Sequence, residues 1–145
     1  MLRPFPLLAL LALLAFSAQA QVGALPSVDG DAIRMPLAAP GDARRGRALM
    51  VARDAANCIL CHGLSDPGVR FSGDLAPPLD GVGARLSQAQ LRLRVADNAR
   101  LNPETIMPSY FRIEGLTQVA TAYRDKPILS AQEVEDLVAY LSSLK

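Results

Sequence analysis

The run Asn57-Cys58-Ile59-Leu60-Cys61-His62 constrains this chain more than any other stretch. Two cysteines separated by two residues can each form a thioether to one vinyl group of a single haem. A histidine directly after them is then placed beneath the iron. Cys58 and Cys61 are the only cysteines in the 145 residues and His62 is the only histidine, so nothing else competes for the assignment. A structural zinc ion would want four protein ligands of these types, and the chain has three. A redox-active dithiol would sit among alternating strands and helices, whereas the surrounding pattern is helical. A disulfide closing so small a loop would constrain little of the unfolded chain.

Export is written at the other end. Residues 1–20 carry one positive charge, Arg3, then an apolar run from Leu7 to Phe16 and the small-residue sequence Ala18-Gln19-Ala20. This pattern reads as a signal peptide cleaved before Gln21, with an uncleaved anchor as the competing reading. The apolar run falls short of the roughly 20 residues that span a bilayer, so no stable membrane insertion is expected. Thioether haem proteins mature outside the cytoplasm, so the periplasm is the expected location, and an oxidising compartment suits the two cysteines.

Removing residues 1–20 leaves 125, one domain's worth, with 14 basic against 14 acidic side chains. That balance gives no support to nucleic-acid binding or broad adhesion to anionic membranes. With no tryptophan and few aromatics the core must be largely aliphatic, and a haem would supply a large flat apolar body.

Residues 21–41 hold Pro26, Pro36 and Pro40 with Gly23 and Gly30 and show no periodicity, which predicts an extended arm. Either it is a disordered tether, or Val28, Ile33, Met35 and Leu37 lie against a partner or the domain itself. Asp42 is a suitable N-cap for a helix to about Ala55, with Ala43, Gly46, Leu49 and Met50 on one face. Gly46 in a helix interior costs about 1 kcal/mol relative to alanine, which points to a second helix crossing closely there. Arg53 shares that face, either reaching a haem propionate or turning to water.

A loop without secondary structure is expected over residues 63–86, long for a compact domain but reasonable over a haem edge. Ser87-x-x-Gln90 forms a capping box and opens a helix from Gln88 to about Ala99, although Leu91-Arg92-Leu93-Arg94-Val95 alternates as a strand would. Arg92, Arg94 and Arg100 read as a solvated face, with docking or propionate contact as the alternative. Met107 lies between Pro103 and Pro108, 45 residues after His62. A methionine in a proline-bracketed loop suits a thioether presented rigidly to the far side of the iron better than it suits core filling. Last, Ser130-x-x-Glu133 is a second capping box, and Val134, Leu137, Val138, Leu141 and Leu144 make a helical apolar stripe whose expected mate is the helix carrying Gly46. Tyr140 flanks it.

A terminal helix, C-x-x-C-H, a proline-rich loop, a middle helix, a methionine loop and a second terminal helix resemble the class I cytochromes c over residues 42–145. The resemblance implies an all-α domain of about three main helices around one covalently bound haem c with low-spin His62/Met107 iron, behind an extended N-terminal arm. Ala76-Pro77-Pro78-Leu79-Asp80-Gly81 is similar to the Gly-Pro-x-Leu-x-Gly element of those proteins. It implies that the Pro77 carbonyl accepts a hydrogen bond from the His62 ring nitrogen not bound to iron. Ala76 departs from the usual glycine, and read alone Pro77-Pro78 is a stiff turn.

Four segments narrow the resemblance: Leu79-Asp80-Gly81-Val82-Gly83, residues 91–95, residues 102–110 and residues 126–136. In that order they resemble the SoxX family, the monohaem subunits of the SoxAX cytochrome complex of bacterial thiosulfate oxidation. This implies a periplasmic heteromer with a SoxA-type subunit. There thiosulfate is conjugated to a cysteine of SoxY, with transient contact to the SoxYZ carrier and onward electron transfer to an acceptor cytochrome. The resemblance puts the transfer chemistry on SoxA, which leaves open whether this chain counts as an enzyme; its own residues offer no free thiol, second histidine or acid/base pair. The alternatives are a free-standing soluble electron carrier and a haem catalyst or ligand sensor whose iron Met107 does not close.

Overall fold

Asp42 starts the first helix as expected, its carboxylate accepting the backbone N–H groups of Arg44 and Arg45 at 2.9 Å each. The computed structural model describes residues 25–145, so the expected signal peptide and the first residues of the arm lie outside the described residues. Helix α1 spans Ala43–Val51 and stops four residues short of the expected Ala55. Three more helices follow: α2 over Val82–Arg85, α3 over Gln88–Asp97 and α4 over Ala131–Ser143. A 3-10 turn over Asn98–Arg100 continues α3. Both capping boxes form, Ser87 with Gln90 and Ser130 with Glu133.

The crossing of α1 and α4 is the centre of the domain. A Cβ on Gly46 would lie 2.0 Å from the Asp136 carbonyl oxygen, so only glycine lets the two backbones meet there. Met50, Val134, Leu137 and Val138 fill the crossing and are all but inaccessible to water. Its rim is tied by charge: Arg45 pairs with Asp136 through Nε at 2.7 Å and Nη2 at 2.8 Å. Arg47 pairs with Asp66, which also accepts the Tyr140 hydroxyl at 3.1 Å.

Helix α2 corrects the expectation of a loop without structure over residues 63–86. Four residues cannot sustain a helix by local propensity. Its support is tertiary: the Gly83 N–H donates to the Leu144 carbonyl at 2.8 Å and Gly83 packs against the backbone of Ser142. Gly81, at φ 67°, supplies the left-handed residue that turns the chain into it.

The arm lies on the domain. Ile33 is fully buried and its N–H donates to the Ala89 carbonyl at 3.0 Å. Val28 and Leu37 are half-buried against the core, whereas Met35 is exposed. Arg92 overturns the expected solvated face. It is buried, paired with Glu135 of α4 through two hydrogen bonds of 2.6 and 2.8 Å, and its Nη1 donates to the Ile33 carbonyl. Glu135 also accepts the Leu37 N–H at 2.8 Å, so one ion pair fastens arm, α3 and α4 together. A buried charge survives only when paired and hydrogen-bonded in this way.

Candidate functional site

The segment before the cysteines turns sharply at Asn57, whose φ of 45° is left-handed, a conformation asparagine tolerates better than most side chains. A 3-10 turn over Cys58–Leu60 follows, and the His62 N–H donates to the Cys58 carbonyl at 3.0 Å. This tight turn brings Cys58, Cys61 and His62 to the wall of one cavity. A strand-like segment runs beside it, with the Ala76 N–H on the Cys61 carbonyl and the Leu79 N–H on the Gly63 carbonyl, both at 2.9 Å. Ala76 thus fits the path that glycine usually occupies, and it brings the Pro77 carbonyl 2.6 Å from His62 Nδ1. A carbonyl only accepts, so Nδ1 carries the proton and Nε2 keeps its lone pair for a metal.

Met107 lines the same cavity from the loop that follows α3. That cavity measures about 330 Å³; a second, of about 410 Å³, opens between α2, α3 and α4. The two share His62, Pro77, Asn98 and Met107, so they are halves of one slot with the imidazole and the thioether on its walls. Leu79, Val82, Leu86, Leu91, Val95 and Leu141 make the inner half apolar. A flat hydrophobic body with two vinyl-derived attachment points fits this slot: thiols at one edge, an imidazole with a free lone pair and a thioether.

All five residues singled out from sequence, Cys58, Cys61, His62, Pro77 and Met107, meet here. The two cysteines are not joined by a disulfide. Burial is the chief cause that pushes the Cys58 thiol up to about 11. Burial also raises the Tyr110 phenol, whose hydroxyl donates to the Ala56 carbonyl at 2.8 Å and ties the methionine loop to the attachment segment.

The arginines separate. Arg53 is exposed beside an outer groove with Leu60 and Phe71. Arg94 and Arg85 reach the inner half of the slot, Arg94 also meeting Asp31 of the arm at 3.3 Å. Arg100 pairs with Asp97 at 3.3 Å. Sequence reasoning missed Asn98 and Thr105 as slot residues; a lone asparagine at a helix end carries no signal of its own. Among the described residues no helix is long and apolar enough to cross a membrane.

Known proteins share this fold. The family model described as cytochrome c matches residues 43–145. Comparison with curated proteins returned no match. Among solved structures the chain is similar to a chain of the crystal structure of SoxXA from P. pantotrophus. That match has 37% identity and a TM-score of 0.73, and covers 79% of this chain and 90% of that one. Matched in sequence over its whole helical domain and in backbone over most of its length, the chain belongs to the cytochrome c family, in its SoxX group.

Proposed function

We propose that this chain is the electron-transfer subunit of a SoxAX complex, exported to the periplasm by cleavage before Gln21, with residues 21–41 as its arm and 42–145 as its cytochrome domain. The observation that carries the reading is that His62 and Met107 line one slot, with His62 Nδ1 committed to the Pro77 carbonyl. In this reading Cys58 and Cys61 would hold the haem by thioethers, and His62 Nε2 and the Met107 sulfur would be the iron's protein ligands. The haem c supplies a one-electron iron couple.

Each residue has a stated task. Pro77 fixes the imidazole tautomer and plane, which keeps Nε2 a good donor. The Met107 thioether, neutral and soft, favours the reduced iron and raises the potential relative to a second imidazole, which suits an acceptor of electrons. The aliphatic side chains of the inner half give it apolar walls, while Cys58 and Cys61, both half-buried, stand in the other. Leu75 and Ile106, on the lining of the slot, are exposed.

Similarity to SoxXA supports a SoxA-type partner. Joining thiosulfate to the SoxY cysteine forms a sulfur–sulfur bond and releases one proton and two electrons. A one-electron couple held by Cys58, Cys61, His62 and Met107 would suit the transfer of these electrons singly. In this reading bond formation belongs to the SoxA-type partner, as the resemblance to SoxX implies.

Affinity purification from the native host tests this directly. A SoxA-type cytochrome is expected to copurify, and thiosulfate with the SoxYZ carrier should reduce the haem of this chain within the complex. A chain that stays monomeric with that cytochrome present would favour a free-standing carrier.

A further inference from the structure

The loop that carries Met107 is pinned on both sides of the methionine by Asp97, the last residue of α3, and Asn98, the first of the 3-10 turn after it. Before it, Asn98 Nδ2 donates to Thr105 Oγ1 at 3.1 Å, and the same oxygen accepts the Met107 backbone N–H at 3.2 Å. After it, Ser109 Oγ donates to Asp97 Oδ1 at 2.6 Å. Arg112 Nε donates to Asp97 Oδ2 at 2.7 Å, and Arg112 Nη2 to Ser109 Oγ at 3.2 Å. Asp97 is only 1% exposed, and a carboxylate so deep carries a large desolvation cost that a packing role alone does not explain. Its partners are Arg112, Arg100 and Ser109, and two of these belong to the loop just beyond Met107.

A neutral thioether is a modest ligand whose occupancy depends on how closely its own backbone is held at the metal. A tethered group binds in proportion to its effective concentration, and ordering the tether raises it. We propose that Asp97 and Asn98 are positioning residues for Met107, gripping its loop at Ser109 and Thr105 so that the thioether outcompetes external ligands. The inference rests on the reading of Met107 as the distal ligand. It explains why two polar residues end α3 facing one loop, and why the grips fall two residues to either side of the methionine.

Imidazole competition on the oxidised, haem-loaded protein tests it. Imidazole displaces Met107 only when the loop lets go, so its apparent affinity reads loop opening. Thr105→Val removes the acceptor shared by Asn98 and Met107 at a half-exposed position, and Ser109→Ala removes the link to Asp97. Each loses one or two hydrogen bonds, which corresponds to an apparent imidazole affinity about three- to tenfold higher than wild type. Thr105→Ser, which restores the hydroxyl, should return to the wild-type value. Tyr140→Phe, which loses only the bond to Asp66 far from the loop, should lower thermal stability without moving imidazole affinity. If Thr105→Val and Ser109→Ala bind imidazole as wild type does while Met107→Ala binds it much more tightly, the positioning role is wrong and the ligand reading stands. If Met107→Ala matches wild type in spectrum and affinity, the ligand reading fails and takes the positioning role with it.

Discussion

Replacing Gly46 by alanine sets two effects of opposite sign against each other, and the structure decides which wins. By helix propensity alone the change should stabilise α1 by about 1 kcal/mol. The added Cβ, however, would sit 2.0 Å from the Asp136 carbonyl oxygen and 2.5 Å from its carbon, both main-chain atoms of α4. To bring the first of these to the ordinary contact distance of 3.4 Å, the helices must separate by about 1.4 Å. No side-chain rotation can relieve a clash with backbone, and the separation loosens Met50, Val134 and Leu137, which are buried at the same crossing. Overpacking costs typically 1–3 kcal/mol, and here it lies at the upper end with lost core contact added. The net expectation is a loss of about 2 kcal/mol, or about 8 °C in Tm for a domain of this length. Thermal unfolding of the haem-loaded protein by circular dichroism reads it. Ala48→Gly, on the exposed side of the same helix, is the companion variant and should lose about 1 kcal/mol by propensity alone. A Gly46→Ala protein as stable as wild type, or more stable, would refute the close crossing.

Two further perturbations test other parts of the fold. Glu135→Gln leaves the Arg92 guanidinium buried without a counter-charge and should cost about 3–5 kcal/mol in urea unfolding, whereas replacing Arg92 and Glu135 together by methionine and leucine should recover most of that loss. The Arg47 guanidinium beside Asp66 holds its carboxyl well below the usual carboxylate range, so the folded protein takes up that proton less readily than the unfolded chain. The stabilisation is therefore complete above about pH 4 and drains as pH falls below it. Tm measured against pH should fall less steeply in this acid range for Asp66→Asn than for wild type; equal slopes would remove Asp66 from the acid response.

What the sequence disclosed was local. The two capping boxes needed only Ser87 with Gln90 and Ser130 with Glu133, each within one turn, and both are present. Gly46 announced a crossing because a glycine in a helix interior wants a reason, and the apolar stripe of α4 supplied the mate. What stayed hidden depended on residues far apart in the chain. Arg92 reads as a surface charge until Glu135, 43 residues on, meets it in the interior. The strand-like alternation of residues 91–95 has the same origin: α3 is covered by α4, the arm and the methionine loop, so arginine and leucine are buried side by side. Helix α2 exists because the backbone of α4 holds Gly83, which no four-residue pattern could reveal. At the site, the cysteines, histidine and methionine were legible because few other residues share their chemistry, whereas Asn98 and Thr105 matter through geometry alone.

The central claim is that His62 and Met107 close both axial positions and make the domain an electron relay. Carbon monoxide added to the reduced haem-loaded protein at neutral pH, followed in the Soret band, measures this most directly. Wild type should show no spectral change on mixing, and Met107→Ala should bind the gas at once. Prompt binding by wild type, or a Met107→Ala protein that remains closed, would contradict it.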